Sequence, residues 1–457
     1  MAKTFQQGAL RPHRARATRE VAEEAEEGAA RVSATALLVL GVLALLLAVG
    51  LLAALRRTRV AAPHTKPAPN VPGPLSILVY GGAGDDARDN SAALLAVVAA
   101  ARAAGVPVYL PKGTYRFSLP QTWTDLPGIT GPGVLKPTSA LNGKACITIN
   151  SGEPFDMGTP RDFLWDGPQL DGSLTSGSVG VLLGGNALSG NFSFRSGRIR
   201  QFRGRDGYGL HVRNVVQAAF HDVVISQNQS NVLIEGGGHT QLPTTVRFSG
   251  SMIRWATQHG MVVRNVIALL VDGRSVIEGN GEHAILVQPG TGQRIEQLVI
   301  ADTWFEDNWR SVDPATRATK YAILVDGTTV PVYQFQMRRC RHGELCKVAD
   351  LRTAVDAVID SPWRPGALPG DYRISAGSTV HLCNWPTLLP VSYVLKVEAG
   401  AKALGGCSEQ QAAGAGASRG PAPNVTPGAS PRWENVSVRA LVHPIAVAFL
   451  LVQARAD

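Results

Sequence analysis

The chain has 457 residues, a formal net charge of +9 and 45% hydrophobic residues. That length allows one large domain or two ordinary ones, and the low aromatic share means a mainly aliphatic core. The positive balance suits acidic ligands or anionic surfaces without selecting between them. The five cysteines exclude a dense disulfide framework, and no Cys/His set has zinc spacing.

The first element is a polar head, residues 1–33, with basic residues and an EEAEE run. It is followed by Ala34–Leu55, ATALLVLGVLALLLAVGLLAAL, uncharged and long enough to cross a bilayer as a helix. A cleaved signal peptide is the alternative, but the run is long and begins after a sizeable head, which favours a signal anchor. Basic residues flank both ends equally: Arg14, Arg16, Arg19 and Arg31 before it, and Arg56, Arg57, Arg59 and Lys66 after it. Charge alone therefore leaves the orientation tied. The large polar domain behind a single early span argues for the N-terminus inside and the bulk of the chain extracytoplasmic or on a virion surface. Residues 56–74 form a Pro-rich tether, and 408–431 a second Gly/Ala/Pro-rich one. They bracket one domain, residues 75–407. The tail, 432–457, is apolar but short for a second span and carries His443 and Pro444.

Within the central domain the sequence is quasi-periodic. LHVRNVVQAAFHDVVISQNQSN begins at Leu210 and MVVRNVIALLVDGRSVIEGNGEH at Met261; similar units begin near Val232, Ile285, Ile323 and Cys346. Each has short alternating strands separated by Gly, Asn or Asp, and long helical periods are absent. A repeat of this kind predicts a parallel β-solenoid whose turns bury their inward residues against one another. Longer intervals mark insertions, the clearest being Gly236–Thr245 and Glu306–Lys320. Asn90 to Ala104 reads as an amphipathic helix with Leu94, Val97, Val98 and Ala101 as its stripe. Asp89 or Asn90 is placed to cap its start and Gly105 to end it, so that the helix closes the open first turn. The Gly-rich turn GGAGDDAR before it lacks the GK[ST] of a phosphate loop.

The segment SILVYGGAGDDARDNSAALLAVVAAARAAGVPVYLPKGTYRF, Ser76 to Phe117, resembles the opening of pectate-lyase-like right-handed β-helix proteins, the superfamily of polygalacturonase-like hydrolases and phage tailspikes. It keeps Tyr80-Gly81, Gly84-Asp85, Asp89, the helix, and Val108-Tyr109-Leu110-Pro111 through Gly113-Thr114-Tyr115. It departs from the family pattern at Asp86 and Asn90. The resemblance implies an all-β, right-handed parallel β-helix with an N-terminal capping α-helix, here preceded by a single transmembrane helix. Polysaccharide is the partner class in view, and because tailspike-like relatives are usually trimers the resemblance leaves a homotrimer open. The fold hosts hydrolases, lyases, epimerases and inert adhesins, so it does not choose a chemistry.

Glycoside hydrolysis needs two carboxyl groups across the scissile bond. The polygalacturonase motif set is not present in order. Glu278 and Glu282 in VIEGNGEH and Glu306 and Asp307 in WFEDN are the catalytic candidates, against the plainer role of such residues in capping solenoid corners. Arg198, Arg200, Arg203, Arg205, His211 and Arg213 crowd one segment, and a basic face there suits an acidic polysaccharide. Trp304 and Trp309, with Trp255 two turns earlier, are candidates to stack on sugar rings, and core packing is the alternative for Trp304 beside Phe305. No tight Asp/Glu cluster predicts a metal, so no cofactor is expected, with calcium left open for a lyase. Nucleic acid is not expected as a partner of an exported domain. The sequence supports two readings: a membrane-anchored β-helix that binds or cleaves an extracellular acidic polysaccharide by hydrolysis or β-elimination, or a non-catalytic adhesive or virion-spike component.

Overall fold

Leu210, Val232, Met261, Ile285 and Ile323 stand in one column, each the parallel register partner of the next. The repeats read from the sequence are therefore turns of a solenoid. The next residue in the column is Ala349, so the unit read as beginning at Cys346 enters the register three residues later. This computed structural model describes residues 73–152, 162–237, 242–343, 345–360, 370–384 and 395–405. Among them no helix is long and apolar enough to cross a membrane. Ala34–Leu55, most of the first tether and all of the second lie outside the described residues, as does the tail.

The architecture is a mostly-β parallel solenoid of about 11 turns. Each full turn contributes three strands, and like strands stack into three parallel faces. The first face runs from Leu75–Ser76 to Lys402–Gly405. The second runs from Asp85–Asp89 to Arg341–Gly343 and is a separate ten-stranded sheet. The third runs from Gln121–Thr124 to Leu395–Val397. Two long strands, Val179–Arg195 and Tyr208–His221, bend from the third face onto the first, and their pairing is irregular between Gly184 and Ser189.

Strand alternation fills the interior. On the second face Ile199, Ile225, Ile253, Ile277 and Phe305 point inward and are buried. On the first face Trp165, Phe194, Phe220 and Phe248 stack turn upon turn, with successive ring centroids 5.4, 5.1 and 4.5 Å apart. Identical positions in successive turns pack the same shapes together, which is how a chain with few aromatics builds an aromatic column.

The corner between the second and third faces is where the fold places its repeated polar residues. At each turn the chain passes it through one left-handed residue: Gln201, Gln227, Trp255, Gly279 and Asp307. The residue after it turns inward, and there Asn228, Asn280 and Asn308 are fully buried. Their amides form a ladder. Asn280 Nδ2 donates to Asn308 Oδ1 at 2.8 Å, and Asn231 Nδ2 to Asn280 Oδ1 at 3.3 Å. Phe202 and Ala256 donate backbone N–H groups to Asn228 and Asn280. Paired in this way, the buried amides avoid the about 1–3 kcal/mol cost of an unsatisfied polar group.

Helix α1, Ser91–Ala104, covers the first turn with Ala93, Leu94, Val97, Val98 and Ala101 buried. Gly105 ends it in the left-handed region. Asn90 occupies the N-cap position, but its side chain is spent elsewhere: Oδ1 accepts from Ala83 N at 2.6 Å and Nδ2 donates to Arg88 O. Asp89 does the capping, accepting from the Ser91 N–H and hydroxyl. Asp86, where the family pattern has glycine, holds Arg116 at 2.7 Å and Lys136 at 3.2 Å. Cys146, Cys340 and Cys346 are buried, and burial pushes the Cys146 and Cys340 thiols up to about 12. Cys383 is disulfide-bonded.

Candidate functional site

The corner residues also shape the surface. Gln201, Gln227 and Trp255 project side chains outward, and Gln201 Nε2 lies 3.3 Å from Gln227 Oε1. Trp255 is 37% exposed, unlike the other tryptophans of the described turns, and the Arg254 guanidinium stands 4.0 Å from its ring centroid. Two cavities open along this corner. One, about 440 Å³, is lined by Arg203, Gln227, Trp255, Thr257, Arg310 and Ser311. The other, about 450 Å³, is lined by Arg205, Asp206, Tyr208, Gln229 and Gln258. Arg203 and Arg205, Gln227 and Gln229, and Thr257 and Gln258 divide between them, so the cavities lie side by side in one trough. From Arg203 to Arg310 it crosses four turn spacings, about 19 Å at the usual strand separation.

Glu282 borders both cavities through its neighbours without lining either. It follows Gly281, which lines the first, and its N–H donates to the carbonyl of Gln258, which lines the second. Its Oε2 is 3.4 Å from Nε2 of His259. Burial raises the Glu282 pKa. Burial, and then the neighbouring His283, bring His259 down to about 4. His283 stacks on His259 with centroids 5.6 Å apart and is itself lowered to about 4, chiefly by burial. A carboxyl shifted up beside a neutral imidazole, at the edge of a basic trough, is a candidate acid–base centre.

A second cluster lies on the third face behind Tyr208. His211 Nε2 is 3.1 Å from Glu235 Oε1, bent from the ideal hydrogen-bond line, and Arg264 reaches Glu235 Oε2 at 3.1 Å. His211 and then Arg264 hold the Glu235 carboxyl down to about 2 against the opposing effect of burial. Arg213, one position along from Val212, brings a further cation to this end of the strand. The floor here is apolar: Leu233 and Val262 are outward-facing yet buried.

The structure separates the sequence candidates. Glu278 and Glu306 are register neighbours on the second face, away from the trough. Glu278 pairs with Arg254 at 3.3 Å, and Glu306 accepts from Trp304 Nε1 at 2.9 Å. Asp307 turns toward Arg317 at 2.5 Å. Of the four carboxylates, Glu282 alone adjoins the cavities. Arg203 and Arg205 line them, Arg198 and Arg200 lie on the second face, where Arg200 pairs with Asp171, and His211 and Arg213 lie on the third. Trp304 is half-buried, and Trp309 packs against His283. Arg310 and His259 went unassigned in the sequence. Trp255 stood there only as a further tryptophan, and its signal was positional: Trp255 and Gly279 hold the corner position already occupied by Gln201 and Gln227. Among the described residues no group of three or more His, Cys, Asp or Glu is arranged to hold a metal ion.

Stacked parallel faces closed by an N-terminal helix, with a polar trough along one corner, define a parallel β-helix. The fold is that of the pectate lyase-like, rhamnogalacturonase-like β-helix family, and residues 75–154 match the family described as "Rhamnogalacturonase A/epimerase, pectate lyase-like". No curated protein matches. Among solved structures, the A-module of mannuronan C-5 epimerase AlgE4 from Azotobacter vinelandii is similar over 73% of this chain and 88% of its own, at 18% identity and TM-score 0.50. An α-1,3-glucanase catalytic unit from Streptomyces thermodiastaticus is similar over 76% and 71%, at 13% identity and TM-score 0.43. The surface adhesin PfbA of Streptococcus pneumoniae is similar over 72% and 92%, at 13% identity and TM-score 0.44. These likenesses concern the fold. The family includes carbohydrate-active enzymes and adhesins alike.

Proposed function

We propose that the protein binds a linear acidic polysaccharide along the corner trough and cleaves it by β-elimination at Glu282. The observation that carries this reading is the Glu282–His259 couple set between two cavities whose charged lining is mainly arginine. Hydrolysis would call for a second carboxyl across the bond. Glu278, Glu306 and Asp307 are directed elsewhere, and Asp206 in the second cavity is exposed beside Arg205. Elimination needs one base and a cation to neutralise the sugar carboxylate. In that step Glu282 takes the proton on the carbon next to the carboxylate. The C–H electrons form the double bond, the C–O bond to the neighbouring sugar breaks, and Glu282 returns the proton to the departing oxygen. Arg310 neutralises the carboxylate, Arg203 holds a carboxylate further along the polymer, and Trp255 offers a ring face to the sugar.

The reading includes the location. Ala34–Leu55 anchors the chain with the N-terminus inside and the β-helix outside, and the Cys383 disulfide suits an oxidising compartment. The test uses the full-length protein in detergent with polyuronates and neutral glucans, following reducing ends and unsaturated-uronate absorbance. New absorbance from a polyuronate, abolished by Glu282→Gln with binding retained, supports the proposal. Tight binding without product across the panel supports the adhesive alternative instead.

A further inference from the structure

The insertion after the second face, read from the sequence as Glu306–Lys320, folds back onto the acid–base centre. Asp307 opens it in the left-handed region, and the short helix α2, Pro314–Arg317, is capped by Asp313. Arg317 is 8% exposed; its Nε donates to the Trp309 carbonyl at 3.1 Å and its Nη1 pairs with Asp307. The Ser311 hydroxyl donates to the Gly281 carbonyl. The insertion is thus fastened on both sides of Trp309. The indole meets the His283 ring edge to face, with centroids 4.7 Å apart and planes at 83°.

The hydrogen bonds fix more than position. Trp309 Nε1 lies 2.7 Å from the Tyr321 carbonyl, and His283 Nδ1 lies 2.8 Å from the same oxygen. A carbonyl only accepts, so His283 Nδ1 carries the proton and Nε2 holds the lone pair. His283 then stacks at 21° on His259, whose Nε2 faces Glu282. The line from insertion to carboxyl is continuous: Trp309, His283, His259, Glu282.

We propose that Trp309 is a positioning residue for the Glu282–His259 couple, acting through His283, and is not a platform for sugar. The inference rests on the trough reading for its catalytic consequence, but the geometry it asserts stands apart from any activity. Trp309 is partly buried and packed against the core, with its N–H committed; the exposed indole on the trough is Trp255. The charged groups facing the imidazoles are Glu282 on the turn of His283, Lys320 on the insertion, and Arg352 from further along the third face. Lys320 stands over the Trp309 ring at 5.3 Å, and its charge, like that of Arg352, opposes protonation of His283.

Two measurements on full-length protein test this. The first is an imidazole titration by NMR with ¹⁵N-histidine labelling, on wild type and Trp309→Phe, which keeps a ring and removes the N–H. Wild type should show the Nδ1-protonated form of His283, and in Trp309→Phe the His259 and His283 midpoints should rise by about one unit as water reaches them. Unchanged midpoints and tautomer overturn the proposal, whether or not any polysaccharide is cleaved. The second is steady-state kinetics on a cleaved polyuronate. Trp309→Phe should lower kcat about tenfold, leave KM nearly unchanged and move the acidic limb of the pH profile upward. Trp255→Ala should raise KM. A rise in KM for Trp309→Phe with kcat and pH profile intact would make Trp309 a sugar-stacking residue and overturn the assignment.

Discussion

Nε2 of His259 lies 3.4 Å from Oε2 of Glu282, and neither group keeps its ordinary proton affinity: burial raises the carboxyl and lowers the imidazole to about 4. Both shifts favour the uncharged forms and have one origin, a corner sealed by the insertion that carries Trp309.

Acid stability depends on the same pair of rings. His259 and His283 have folded pKa values of about 4 against the ordinary 6.5, so the folded state binds fewer protons than the unfolded chain between those values. Stability is intact above pH 6.5 and falls as the pH drops toward 4. A shift of this size corresponds to about 3 kcal/mol per ring as an upper bound. Thermal melts across that range should show a decline, and His283→Gln should flatten it. An equally steep decline in the variant would remove His283 as its source.

The asparagine ladder gives a second expectation. Asn280 accepts from Ala256 N at 3.0 Å and Asn231 Nδ2, and donates to Asn308. Asn280→Ala strands several buried partners with no water to replace the amide. The expected loss is about 2–4 kcal/mol, the upper part of the range for a broken buried network. Denaturant unfolding of the variant measures it, and a loss below about 1 kcal/mol would mean that water enters the corner.

Trough binding should be electrostatic and modest per contact. Arg310→Met removes a cation while keeping length, and should weaken polyuronate binding about fivefold, roughly 1 kcal/mol for an exposed charge. The difference between parent and variant should shrink as salt is raised. Titration calorimetry at two ionic strengths decides it, and a salt-independent difference would point to packing instead of charge.

Much of the fold was legible because solenoid turns repeat their pattern in the sequence itself. VRNV at Val212 and at Val263 marks equivalent turns, and the stripe Leu94, Val97, Val98, Ala101 announced a buried helix face. The site was less legible. Glu278 and Glu282 are four residues apart, yet a single left-handed residue, Gly279, and the buried Asn280 carry the chain around a corner between them. The two carboxylates consequently sit on different faces, and no strand alternation predicts that. Trp309 looked like Trp255 in sequence, and the Tyr321 carbonyl and the His283 ring that engage Trp309 distinguish them. Arg198 and Arg203 lie five residues apart and were read as one basic face; the same corner parts them.

The last prediction concerns Gly279 itself. It is the one corner position of its series without a side chain, at φ 62°, and a Cβ there would collide with Trp255 Cδ1. The glycine lets the Trp255 ring lie down over the next turn, where Arg254 holds its other contact. Gly279→Ala adds left-handed strain of about 1 kcal/mol and forces the indole to rotate. The strain alone predicts a small stability loss, because Trp255 and Asp307 tolerate the same backbone at neighbouring turns. The rotation predicts a larger effect on ligand: polyuronate affinity should drop about as far as in Trp255→Ala, and the double variant should be no worse than either single one. Additive losses in that cycle would show that the ring's resting place on Gly279 plays no part in binding.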